Sequence, residues 1–138
     1  MEKHFELSDA AFEQQFREGT LDPCIFSHEA HIRLAWLHIK QYGVEKAILN
    51  VCAQLQNFVQ LAGATGKFNK TLTVAAIKAV YHFMLKSGSN NFKDFIQQFP
   101  RLKYNFRDLM AAHYKKDIYI SDKAKKEFLE PDLLPFDV

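Results

Sequence analysis

An all-α fold is what this sequence predicts, a single-domain helical bundle of five to seven helices over residues 1–138, and three observations carry it. Apolar residues recur every three to four positions through most of the chain. Serine or asparagine stands before most such runs, and glycine, proline or Gly-Ser clusters stand after most of them. Strand signal is confined to Asp117-Ile118-Tyr119-Ile120, an alternation of four residues with no partner run to pair with.

Taken in order, Ser8 caps a first helix to about Glu18, with Phe12 and Phe16 on one face and Gly19 as terminator. A loop over Thr20 to Cys24 leads to Ser27, the cap of a second helix that runs to about Tyr42, where Gly43 suits the left-handed stop. Val44, Ile48, Val51, Leu55, Phe58 and Ala62 form the stripe of a third helix. So short a link between two long helices predicts an antiparallel hairpin. After the Gly63–Gly66 break, a fourth helix from about Lys70 to Lys86 carries Leu72, Ala76, Ala79 and Phe83. Asn91 with Asp94 opens a short helix bearing Phe92, Phe95, Ile96 and Phe99, which Pro100 ends. Asn105 with Asp108 repeats the start signal ahead of Leu109, Met110 and His113. Ser121 caps a last short helix, and Pro131 and Pro135 bracket an extended tail.

The chain has 138 residues and a formal net charge of +2, too small an excess to indicate nucleic acid. Acidic residues are absent between Lys46 and Lys93, where six lysines fall, a solvated face or an attractor of small anions. No apolar run nears the roughly 18–20 residues of a membrane span. The N-terminus is polar and only Cys24 and Cys52 are present, so a reducing, cytoplasmic setting is expected. The 13 phenylalanines read as aromatic core, with Phe92, Phe95, Phe99, Tyr104 and Phe106 as the alternative partner or homodimer surface.

Chemistry concentrates at Phe26-Ser27-His28-Glu29-Ala30-His31-Ile32-Arg33-Leu34-Ala35-Trp36. His28 and His31 fall in the first helical turn on one face. A helical wheel puts His28, His31, Ala35, His38 and Tyr42 in one arc, expected to be partly buried, and leaves Glu29, Arg33 and Lys40 as the solvent strip. The spacing misses the H-E-x-x-H of zinc peptidases by one residue, and no cofactor or metal set is expected. A metal-dependent enzyme built on His28 and His31 is the third reading, with His82 or His113 as the added ligand. Cys24 and His28 make a weak thiol–imidazole pair. Gly63-Ala64-Thr65-Gly66-Lys67 lacks the first glycine and the final Ser or Thr of a phosphate-binding loop, and follows a helix instead of a strand. Asn69 or Thr71 either caps the fourth helix or turns to a ligand near its N-terminus, with Lys67 and Lys70 close by.

The motif Phe26-x-His28-x-x-His31-Ile32-Arg33-Leu34-Ala35-Trp36 resembles the opening of a family of small uncharacterised bacterial proteins, with a phenylalanine, H-x-x-H and then L-R-x-A-W. Its middle segment, G-x-x-x-Y-H-x-T-x-T, is matched by Gly63 or Gly66, Phe68, Asn69, Thr71 and Thr73. Its later one is matched by His113-Tyr114, Ser121, Lys125 and Pro131-Asp132. The resemblance implies that the three segments converge on one pocket; it implies no activity. Asn69 stands where the pattern has a third histidine, which turns the reading from a metal toward hydrogen bonding. The expectation is a pocket for a small polar or anionic molecule lined by His28, His31, Asn69, Thr71, Thr73 and Tyr114, with no assigned catalytic residue. The alternative is a non-catalytic interaction or dimerisation module.

Overall fold

Side chains meeting across the first helical hairpin explain its form. In the computed structural model, which describes residues 2–137, α1 (Asp9–Glu18), α2 (His28–Tyr42) and α3 (Val44–Leu61) belong to one compact unit that ends at Phe68. Ser8 and Ser27 accept hydrogen bonds from Ala11 and Ala30 N–H, so both serines cap as their positions predict. Gly43 ends α2 and opens α3 at φ 86°, ψ 164°, a conformation only glycine adopts at low cost, and the chain reverses there. The hairpin core is Ile32, Leu34 and Trp36 with Ala47, Val51, Leu55 and Phe58, all buried, and Phe12 and Phe16 of α1 complete it. Phe16 stacks on Phe58 with ring centroids 5.0 Å apart, and Phe26 meets both rings.

A second compact unit begins at Asn69. Its long helix is α4 (Lys70–Met84), followed by α5 (Phe92–Gln98), α6 (Arg101–Tyr104), α7 (Phe106–Ala111) and α8 (Asp122–Lys126). Asn69, Asn91 and Ser121 cap their helices through the side chain. Asn105 precedes α7 without a side-chain cap bond. Pro100 stops α5 and at once precedes α6, a turn that the stop reading alone does not reveal. The core holds Val74, Ile77 and Val80 of α4 with Phe92, Phe95, Leu102, Phe106 and Met110.

The architecture is an all-α helical bundle, with eight helices and no strand among the described residues; residues 117–120 form a turn. Cys24 and Cys52 are not joined in a disulfide. Among the described residues no helix is long and apolar enough to cross a membrane. Phe92, Phe95 and Phe106 are buried, so of the aromatics considered for a partner surface Tyr104 is the one large exposed ring.

Candidate functional site

The start of α2 departs from its wheel. His28 and His31 are exposed, whereas Glu29 and Arg33, expected in solvent, are buried. The N-terminal turn (Lys3–Glu6) causes the inversion by laying His4 against this face of α2. His4 Nε2 lies 2.6 Å from Glu29 Oε2. Arg33 Nη1 donates to the His4 carbonyl at 2.5 Å, and its Nη2 donates to the Leu7 carbonyl at 2.9 Å and to Asp9 at 2.8 Å. The guanidinium also lies 4.7 Å above the Phe12 ring, a cation–π contact. Ser27 donates to Glu2 while it caps α2.

Glu2, His4 and Glu29 set one imidazole and two carboxylates within 4.8 Å of one another, a donor set of the kind that holds a divalent ion. The polarity around them opposes a metal. A histidine bound through Nε2 carries its proton on Nδ1 and gives it to an acceptor. Here Nδ1 faces Arg33 Nη1 at 3.4 Å, a charged donor. The geometry fits a neutral imidazole whose Nε2–H is given to Glu29. Burial first, with Arg33 adding, pushes the His4 pKa down against the pull of Glu29 and Glu2. This cluster therefore ties the N-terminal turn to α2.

His31 stacks face to face on Phe26, with centroids 3.9 Å apart. Desolvation first and the neighbouring His28 second push its pKa down to about 4. The residue as a whole is exposed, which favours the charged form and works against the shift. The imidazole is neutral at pH 7.

The other expected site residues, Asn69, Thr71, Thr73 and Tyr114, lie in the second unit, and the first two hydrogen-bond to its later segments. Asn69 Oδ1 accepts from Leu72 N–H and its Nδ2 donates to the Ile118 carbonyl. Thr71, fully buried, donates to the Glu127 carbonyl at 2.6 Å and accepts from Leu129 N–H at 3.0 Å. Thr73 donates back to the Asn69 carbonyl, and Tyr114 donates to the Leu129 carbonyl. Burial first, then Glu130 and Asp132, push the Tyr114 phenol well up, so it stays protonated. All four groups serve the unit's own hydrogen bonding, and His28 and His31 belong to the first unit.

Tyr114 also lines an open cleft of about 180 Å³ formed by α7 and the turn after it. Met110, Ala111 and Ile118 give it apolar walls; Arg107, Lys115, Lys116 and Asp117 give it charge. The Arg107 guanidinium lies 3.9 Å over the Tyr119 ring. Stacking occupies the face of the guanidinium and leaves its in-plane N–H donors for a ligand. None of the three basic side chains forms a salt bridge among the described residues. Asp117 turns its Oδ1 to Tyr119 N–H at 3.0 Å. Sequence reasoning missed Arg107, Lys115, Lys116 and Tyr119; the Lys-Lys doublet was the one visible sign of them.

No protein-family model, curated protein or solved structure matches the chain.

Proposed function

We propose that this protein binds a small anionic molecule, and that the cleft between α7 and the 114–119 turn receives it. The observation that carries the reading is Arg107, stacked on Tyr119 in the lining of a cleft with three basic side chains to one acidic one. The apolar walls at Met110, Ala111 and Ile118 suit a ligand with a small hydrocarbon or aromatic body joined to a phosphate or carboxylate. A volume of about 180 Å³ is close to that of six liquid waters, room for one such molecule. Tyr114 supplies a wall of this cleft, and Asn69, Thr71 and Thr73 brace the unit that holds it. A reducing compartment, the cytoplasm, is part of the same proposal and rests on the low cysteine count. Membership of the H-x-x-H bacterial family is part of the same proposal and rests on the matched segments.

Phenyl phosphate is a suitable probe because it combines both features. Calorimetric titration is expected to show binding that Arg107→Ala weakens about tenfold or more, the loss of one charge-assisted hydrogen bond. Equal affinity in the variant would remove this cleft as the site.

A further inference from the structure

The cleft has a support that its own helix does not provide. α7 ends at Ala111, yet Tyr114, Lys115 and Lys116 beyond it line the cleft. The N–H groups of His113 and Tyr114 still reach back to the Met110 carbonyl. The carbonyls of Ala112 and His113 have no helical partner, as at any helix end. Residues 128–137, which run without helix, satisfy them. Leu133 N–H donates to the His113 carbonyl at 3.0 Å and Leu134 N–H to the Ala112 carbonyl at 3.2 Å. Asp132 accepts from Lys115 N–H at 2.9 Å, and the Leu129 carbonyl accepts from Tyr114 at 2.8 Å. The strap thus touches every residue from 112 to 115.

Its far end is fastened away from the cleft. Phe136 stacks on His113 with centroids 4.0 Å apart, and His113 Nδ1 donates to the Leu134 carbonyl. Lys78 of α4 lies 5.1 Å from the Phe128 ring and 5.9 Å from the Phe136 ring. Asp137 pairs with His82 at 2.5 Å. Leu133 and Leu134 remain about half exposed, so the strap is held mainly by polar bonds that water can replace.

We infer that the 128–137 strap and the cleft are energetically coupled: docking of the strap orders the cleft wall, and an anion in the cleft holds the strap down. This rests on the cleft being the ligand site. Coupling between two elements is reciprocal, so strap and ligand stabilise each other by one common factor. An event that lifts the strap breaks its bonds to Tyr114 and Lys115 and so lowers ligand affinity.

Two arms test it on the full chain, with phenyl phosphate as probe. In the wild type, saturating probe is expected to slow amide hydrogen exchange across 128–137 by about fivefold or more. In the double variant Phe136→Ala, Asp137→Asn, whose side chains do not line the cleft, strap exchange rises, and with the strap mostly undocked probe affinity falls by the factor by which probe slows strap exchange in the wild type. Probe binding to the wild type with unchanged strap exchange overturns the coupling and leaves the cleft reading standing. So does a variant whose strap exchanges as fast as an undocked chain while affinity is undiminished. Absence of probe binding to the wild type is a failure of the cleft reading itself, and the coupling falls with it.

Discussion

Replacing His38 with leucine should make the protein more stable. His38 is 1% exposed on α2, and both ring nitrogens are buried without a hydrogen-bond partner among the described residues. Its nearest aromatic neighbour is Tyr42, 5.4 Å away, whose hydroxyl is given to Glu13. Desolvation, with Arg17 adding and Glu13 opposing, pushes the pKa down, so the ring is neutral at pH 7. Each unmade hydrogen bond on a buried polar atom costs about 1–3 kcal/mol, and here there are two. Leucine has nearly the same volume and no polar atom to desolvate. Allowing for imperfect repacking, His38→Leu should gain about 2 kcal/mol, read as a higher urea midpoint at unchanged slope. The sign with pH follows from linkage. A folded-state pKa below the unfolded value of about 6.5 means that the unfolded chain takes up a proton the fold refuses. Wild-type stability is therefore full above about pH 6.5 and falls as pH drops toward the lowered folded value. The leucine variant lacks that term, so its advantage should widen from pH 7 to pH 5. A loss of stability at pH 7, or an advantage that shrinks on acidification, would refute the reasoning and place a hydrogen-bonded water on the ring.

Other substitutions probe particular contacts. Arg33→Ala should cost about 1–3 kcal/mol, because it strands the buried His4 carbonyl and the part-buried Leu7 carbonyl of the N-terminal segment; chemical unfolding would show it. Thr71→Val keeps the shape and deletes the hydroxyl between Glu127 and Leu129, so thermal unfolding should fall by about 1–2 kcal/mol, with faster exchange at 127–129. Gly19→Ala should cost about 1–2 kcal/mol, since φ is 75° and the new Cβ would clash with Leu61 Cδ1. Gly66→Ala has open space and no positive φ, and should be neutral to slightly stabilising in the same thermal assay.

Local signals carried the helices well, because a cap or a left-handed glycine is decided by neighbours within a turn. Ser8, Ser27, Asn69, Asn91 and Ser121 all cap where their spacing places them. Gly19 takes the left-handed stop. The wheel of α2 failed where distant chain intervenes. Glu29 and Arg33 are buried by partners at positions 4 to 9, more than twenty residues away, and no periodicity within α2 could reveal them. The basic cleft was illegible for a similar reason. Arg107 lies on α7, whereas Lys115 and Lys116 follow the helix end, and only the turn at 114–119 brings them to one opening. Asn69 and Thr71 were legible as polar groups at a helix start. That their hydrogen bonds run to residues 118, 127 and 129 needed the fold.

The most direct measurement is a map of backbone amide chemical shifts as phenyl phosphate is added to the full chain. Shifts that saturate together and centre on residues 107–119, with those at 28–31 unmoved, are what the cleft predicts. Shifts centred on His28 and His31, or scattered over the surface lysines without saturating, would contradict it.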